Sequence, residues 1–410
     1  LNYPKNDVLL KHHHAADFKY QTEMKWHNSN ESSFLTESWY SKIIVSTFYQ
    51  FFHTLFTSRN KNLKKFHQMV NSIVIIDEIQ AIPVKYYSLL QDSFLLLNRY
   101  FNMDFIITTA TKPLIFDPQY MQEIIKEDEL APFHSTFNRY QIHLHHHHAL
   151  TIDEWIDEIQ DKVHLEKHQK ILVVANTIRS SKEIYTKLQG LKIFKDYEFL
   201  YLSSHTLPIH RKERIQEIKK SHKKLFIVST QIIEAGVDID VDLIFRDFAP
   251  LDSIVQTAGR LNRNLSKPIQ TSILHLYRLK DEKKDYSQYI YDFLLLNITK
   301  ELLAETQTLT EEQLQKTINK YYYEVRNKAS QQEGREIKES LLNLNFENIQ
   351  TEFNLIEDYL KIDFFVLLDN QAQEIKKKYD KICETEEDKY EKRTKLLELK
   401  NNMQDYIISV

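Results

Sequence analysis

The sequence predicts an α/β protein with two lobes built on parallel sheets, followed by a mostly helical C-terminal region. Three observations carry this. Short runs rich in Ile, Val, Leu and Phe recur along the first 280 residues, each bounded by polar residues. Helical segments alternate with them, as parallel sheets covered on both faces require. Beyond Lys280, Lys, Glu, Gln and Asn dominate and the periodicity becomes helical.

In chain order the strand-like runs are Lys42–Thr47, Ser72–Asp77, Asp104–Thr111, Lys170–Thr177, Glu198–Ser203, Lys224–Thr230, Asp242–Asp247 and Ser272–Leu279. Among the helices, Val84–Tyr100 repeats Leu89, Leu90, Phe94 and Leu97 at helical spacing, and Pro208–His222 begins on a proline suited to a first turn. Gly190 follows Ile178–Gln189 where a helix cap belongs. The stretch Lys112–Arg139, with Pro113, Pro118 and Pro132, reads as a connector. Helices are expected at Tyr286–Glu305 and Glu311–Val325, a strand at Asp363–Leu368, then one charged helix, Gln371–Asn402. The expected division is 1–130, 131–280 and 281–410.

Composition excludes several classes. The chain holds only four glycines, Gly190, Gly236, Gly259 and Gly334, where average usage would give about 29. None lie close enough for a glycine-rich phosphate cradle or a dinucleotide turn. The net charge of -4 gives no global pull toward nucleic acid, so any such contact is local. One cysteine, Cys383, cannot form an intrachain disulfide, and no apolar run reaches the length of a membrane span. The expectation is a cytoplasmic protein without a membrane partner. Leu1 is not an initiator Met, which suggests a chain that starts inside a longer reading frame.

Four places carry candidate chemistry. Asp77-Glu78 ends the apolar run SIVII, where ligands of open α/β sheets bind. One carboxylate can hold Mg²⁺ on a nucleotide while the other orients water; the plainer reading is a solvated strand-end turn. Thr109-Ala110-Thr111 ends the next run, and its hydroxyls can bond those carboxylates. Ser229–Asp240 contains Gly236, which allows either close approach to a ligand or simply a tight turn, and Asp238, suited to a ribose hydroxyl or an arginine. Gln256, Arg260 and Arg263 are spaced i, i+4, i+7, which on a helix puts them on one face. They suit charge neutralisation on a phosphoryl group, or form a solvated basic face. Gly259 would then sit in mid-helix, at a cost of about 1 kcal/mol. The His12–His14 and His145–His148 runs preset no coordination sphere, because consecutive side chains diverge; both are expected on solvated surface.

Taken in order, IVIIDEIQAIP, ITTATKP, VSTQIIEAGVDIDVDLIFRDFAPLDS and IVQTAGRLNR resemble the superfamily 2 helicases, and more closely the CRISPR-associated helicase-nuclease of type I interference systems. The resemblance runs from about Lys42 to Leu279. It implies two RecA-like lobes, the first incomplete, with ATP and Mg²⁺ as cofactors. Asp77 would bind Mg²⁺ through ATP and Glu78 would be the catalytic base. Thr109 and Thr111 would couple hydrolysis to lobe movement. Gly236 and Asp238 would border the nucleotide, with Arg260 and Arg263 as arginine fingers and Gln256 beside them. Thr47, Ser204 and Thr230 would line a single-stranded DNA track. The implied function is ATP-driven translocation on, and unwinding of, target DNA in antiviral defence, with an RNA-guided multi-subunit surveillance complex as partner.

Two family features are absent: no Gly-Lys-Thr/Ser sequence precedes Asp77, and no His-Asp dipeptide occurs. The chain therefore reads as the later portion of a helicase, inactive as an ATPase alone, with an apolar edge exposed at Asp104–Thr109. Two alternatives stand beside this: a general superfamily 2 RNA or DNA helicase, and a truncated or split chain serving as a DNA- or partner-binding module.

Overall fold

The computed structural model describes residues 5–13, 20, 29–57, 59–109, 114–125, 129, 138–165, 169–234, 236–265, 268–330, 332–355, 362–386 and 388–409. Two compact units are present: residues 1–110 with 330–410, and residues 111–329. In chain order the strands are β1 (Leu9–His12), β2 (Ile43–Ser46), β3 (Ile73–Asp77), β4 (Asp104–Thr108), β5 (Gln141–Leu150), β6 (Lys170–Val174), β7 (Glu198–Leu202), β8 (Leu225–Ser229), β9 (Leu243–Asp247), β10 (Ile273–Leu279), β11 (Thr308–Thr310), β12 (Asp363–Phe365) and β13 (Ile407–Ser409).

The second unit is organised on one seven-stranded sheet, in the order β11-β5-β10-β9-β6-β8-β7. Every pairing is parallel except β11 with β5. The central strands β6, β8 and β9 are buried on both faces, which the apolar runs of β6 and β8 allow and which in β9 also buries Arg246 and Asp247. Trp155, Ile156 and Ile159 of helix Ile152–Leu165, and Ile184 and Leu188 of helix Ile178–Gln189, pack against one face. Gly190 caps the latter helix. Helix Glu311–Lys328 starts with a full capping box between Thr310 and Gln313 and is tied to the start of β5 by the Arg139–Glu311 ion pair.

In the first unit the strands form three separate pairs, β1-β2, β3-β4 and β12-β13. The buried aromatic residues Phe51, Phe52 and Phe94 pack with Phe105 beneath them. Helix Gln332–Leu342 lies against the turn at Val84–Tyr86 and helix Tyr87–Phe101. Gly334 marks the tightest approach: a Cβ there would stand 2.6 Å from the Lys85 carbonyl oxygen.

Several expectations are corrected. The charged helix at Gln371–Asn402 is two helices, Asn370–Thr385 and Lys389–Gln404, packed on each other. The acidic run Glu384-Thr385-Glu386 sits at the first helix's C-terminus, where the helix dipole disfavours negative charge. Asp388 then restarts the chain by accepting from Glu391 N–H at 2.8 Å. The histidine run at 145–148 belongs to β5, an interior strand missed in the sequence, so His146 is buried and His145 half-buried. Register slips between Tyr277 and Arg278, so that His146, His147 and His148 bulge out of the β5–β10 ladder. In the other run, His12 on β1 accepts from Trp39 Nε1 at 2.7 Å, and burial lowers its pKa to about 4; His14 lies outside the described residues. Among the described residues β4 pairs with β3 alone, leaving its other edge without a strand. Among the described strands, the exposed aliphatic side chains lie instead on β2 and β3: Ile43, Val45, Ile73 and Ile75.

Candidate functional site

In the first unit, β3 delivers Asp77 and Glu78 to the carboxyl end of the β3–β4 pair, both exposed. Parallel register sets Asp77 opposite Thr108, whose Oγ1 donates to Asp77 Oδ1 at 2.7 Å. Glu78 turns the chain in the left-handed region, φ 54° and ψ 47°, and its N–H donates to Thr108 O at 2.9 Å. A non-glycine residue held there costs about 1–3 kcal/mol, a conformation that recurs at ligand sites. Buried Gln80 donates to Glu78 Oε2 and accepts from Thr109 Oγ1 at 2.6 Å. The hydroxyl that reaches Asp77 is thus Thr108, and Thr109 reaches Glu78 through Gln80. Thr111 lies outside the described residues.

Thr47 follows β2 and caps helix Phe48–Leu55, accepting from Gln50 N–H at 3.4 Å. Gln50 in turn accepts from Lys65 Nζ at 3.1 Å. Lys65 is almost fully buried, and desolvation lowers its pKa to about 8. Neither Gln50 nor Lys65 stood out in the sequence.

In the second unit the candidates divide between two ends of the sheet. Ser204 and Thr230 stand at the carboxyl ends of neighbouring β7 and β8, and Thr230 N–H donates to Leu202 O at 3.1 Å. Ser204 is exposed and Thr230 buried. From Thr230 the chain crosses to the amino end of β9 through Gly236, whose φ of +69° fits glycine and strains other residues. There Asp238 meets Lys219 Nζ at 3.0 Å and Arg263 Nε at 3.3 Å. Lys219 and then Arg263 hold the Asp238 carboxyl below its ordinary pKa. These side chains, with Lys170, His222 and Asp240, line a cleft of about 350 Å³.

The single-face arrangement of Gln256, Arg260 and Arg263 is corrected. The helix is Leu251–Ala258 and ends on Gly259, so Gln256 is helical while both arginines follow the helix end. Asn262 then takes a positive φ of 46°. Gly259 bears no mid-helix cost. Arg260 turns back: its Nε donates to Ile233 O at 3.1 Å and its Nη2 to Glu234 O. Arg263 keeps its side chain near Asp238, and its backbone N–H donates to Asp240 Oδ1 at 2.8 Å.

Between the two ends lies a buried polar network that the motifs did not reveal. Arg246 Nη1 donates to Asn176 Oδ1 at 2.8 Å, and Nη2 lies 2.8 Å from Glu234 Oε1, 3.1 Å from Ser253 Oγ and 3.0 Å from Tyr291 Oη. Asn176 Nδ2 donates to Asp247 Oδ2 at 2.6 Å, and burial raises the Asp247 pKa to about 7. The only signal for it in the sequence is Arg246-Asp247 inside the otherwise apolar run LIFRDFA.

This fold is α/β, built on a mostly parallel RecA-like sheet, with the candidate residues near its strand ends. Residues 167–266 match the family model described as CRISPR-associated nuclease/helicase Cas3, C-terminal. Among curated relatives, the CRISPR-associated nuclease/helicase Cas3 of Methanothermobacter thermautotrophicus is 27% identical over 241 residues, 56% of this chain and 28% of that protein. The Haloferax volcanii protein of the same name is 22% identical over 355 residues, 64% of this chain and 38% of its own. Among solved structures, T. fusca Cas3 superposes with a TM-score of 0.62 at 15% identity, covering 90% of this chain and 51% of that one. T. fusca Cas3-ATP gives 0.58 at 14%, covering 79% and 45%. Over these segments the chain is similar to Cas3-like helicases, and its fold is similar to theirs. Its matches span 28% and 38% of those curated relatives' own length.

Proposed function

We propose that this chain supplies the helicase chemistry of a CRISPR-associated Cas3-like effector, coupling ATP hydrolysis to movement along single-stranded DNA. The observation that carries the reading is the exposed Asp77-Glu78 pair, held at a strand end by Thr108 and by the Gln80–Thr109 relay. An open carboxylate is the ligand type Mg²⁺ accepts when phosphate and water supply its other oxygens. No cluster of three or more His, Cys, Asp or Glu able to hold an ion exists among the described residues. Asp77 is the proposed ligand, Glu78 the base, and Asp238 with Arg263 the second unit's nucleotide-facing groups. Arg260 is assigned to shaping that loop rather than to the phosphate itself. Thr47, Ser204 and Thr230 are the proposed backbone-phosphate contacts, a role that needs no base reading; for Thr230, which is buried, its strand-end backbone is the proposed contact. Support for the setting comes from structural neighbours solved with ATP and, in another case, as part of a CRISPR RNA-guided surveillance complex.

The chain contains no Gly-Lys pair, so by itself it is expected to hydrolyse almost no ATP. DNA-stimulated hydrolysis at an ordinary helicase rate by the purified chain would overturn that assignment. In any preparation that shows DNA-stimulated hydrolysis, Asp77→Asn, Glu78→Gln and Arg263→Ala should each lower turnover at least about 100-fold. The missing Gly-Lys pair also favours a second reading, a DNA- or partner-binding module without intrinsic ATPase. Retained turnover in any of the three would remove that residue from its proposed role, and absence of ATP binding by the purified chain would favour the module. Stimulation by RNA instead of single-stranded DNA would select the general superfamily 2 alternative.

A further inference from the structure

We infer that Arg246 and Glu234 form a positioning latch that fixes the Thr230–Asp240 loop and so aligns its two working ends, an inference that rests on the function proposed above. Glu234 is where the loop is gripped from both sides. Its carboxylate takes Arg246 Nη2 at 2.8 Å, Ser253 Oγ at 2.7 Å and Thr257 Oγ1 at 3.4 Å, while its backbone oxygen takes Arg260. Arg246 is wholly buried, and its partners come from four separate places: the end of β6, the loop, helix Leu251–Ala258 and the segment after β10. Burying a guanidinium is costly, the more so here because Arg246 Nε has no partner among the described residues, and apolar residues of similar size often fill such a space with equal or greater stability. Retaining a charge there points to a geometric task, which hydrogen-bonded networks perform and apolar packing does not.

The position supplies the task. Thr230 precedes Glu234 by four residues and Asp238 follows it by four. Gly236, at φ +69°, lies between Glu234 and Asp238 and provides the pivot. Anchoring Glu234 therefore fixes the Thr230 arm at the carboxyl end of β8 and confines movement of the Asp238 arm to rotation about Gly236. Arg260 joins the same anchor to the turn that carries Arg263. Arg246 touches neither proposed ligand; it acts through Glu234.

The test uses the purified chain and the double variant Arg246→Met/Glu234→Met, which removes both buried charges together and so avoids stranding one. Three quantities are read: thermal midpoint, amide hydrogen exchange across residues 231–240, and affinity for a fluorescein-labelled oligothymidylate. The expected result is a near wild-type midpoint, with exchange in the loop at least about tenfold faster and DNA affinity about tenfold weaker. Glu234→Gln, which retains the acceptor oxygen, should keep most of the protection. Wild-type exchange and affinity in the double variant would overturn the latch. If the double variant does not fold, Ser253→Ala/Tyr291→Phe strips two partners without isolating a charge and should accelerate loop exchange several-fold; unchanged exchange there also overturns it. Failure of the wild-type chain to bind the oligonucleotide would count against the proposed function alone, because loop exchange reads the latch independently.

Discussion

β3 and β6 have nearly the same kind of sequence, IVIID and KILVV, and opposite fates. In the second unit β6 lies between β9 and β8 with helices over it, and Ile171 and Val173 are fully buried. In the first unit β3 pairs, among the described residues, with β4 alone, and Ile73 and Ile75 are each 67% exposed. An aliphatic run therefore states what a strand can tolerate, not what covers it. Each fully buried Ile gains roughly 1.5–3 kcal/mol over an exposed one, so the two units draw very different stability from similar strands. Exposed Ile43, Val45, Ile73 and Ile75 are also the first unit's liability for association.

The largest expected effect tests that difference directly. Ile171→Ala should cost about 2–5 kcal/mol in the second unit, through lost transfer energy and the cavity left behind. Ile75→Ala should stay within about 0.5 kcal/mol, as for exposed sites generally, while reducing binding of a hydrophobic dye. Urea unfolding followed with unit-specific probes checks both. A cost of several kcal/mol for Ile75→Ala would mean that the β3 face is covered in solution.

The same contrast explains what could be read in advance. Parallel strands buried on both faces announce themselves as apolar runs, continuous in β6 and β8 and interrupted by few polar residues in β9 and β10, so these four were legible. β5 was not, because imidazoles occupy positions where the pattern expects aliphatic residues. Its alternation of buried Ile142, Leu144 and His146 with half-buried His143 and His145 was nonetheless a period-two signal. The strand-end acids and Gly236 were legible because their chemistry is local. Gln80, Lys65 and Asn176 were not: Asn176 meets Asp247 across 71 residues, and no short window contains both. The placement of Arg260 and Arg263 failed for another reason. Helical spacing was extended past Gly259, where the helix stops.

A pH titration separates the units by sign. His12, in the first unit, has its pKa lowered from 6.5 to about 4, chiefly by burial. The folded state prefers the neutral ring, which accepts the Trp39 N–H, so its contribution is present above pH 6.5 and is lost as pH falls toward 4. Asp247, in the second unit, is raised by burial from 3.8 to about 7. The folded state prefers the protonated acid, so that contribution is present below pH 3.8 and is lost as pH rises through 7. His146, also lowered to about 4 by burial, opposes Asp247 within the second unit. The decisive quantity is therefore the difference between wild type and Asp247→Asn. Wild type should lose stability relative to the variant as pH rises from about 4 to 7, measured by urea midpoints. For His12→Gln, the wild type should gain relative to the variant between about 4 and 6.5. A flat difference in either case removes that group from the account.

The smallest effects come from two glycines, and here the expected signs differ. At Gly334 a Cβ would stand 2.6 Å from the Lys85 carbonyl oxygen, which belongs to a backbone turn and cannot swing aside as a side chain can. Gly334→Ala should force helix Gln332–Leu342 away from that turn and cost about 1–3 kcal/mol, as overpacking does. At Gly259 an added Cβ meets only Gln256 O at 3.4 Å and Val255 O at 3.5 Å, with φ at -61°. Those are contacts of the residue's own preceding turn, and the backbone suits alanine. Gly259→Ala should therefore be neutral or stabilise by up to about 1 kcal/mol, through a less flexible unfolded chain. Should it remain stable yet lower the DNA-stimulated turnover proposed above, a ligand would have to approach Gly259 closely. Full turnover with unchanged stability would assign the glycine to ending the helix, which releases Arg260 to turn back onto the Glu234 carbonyl.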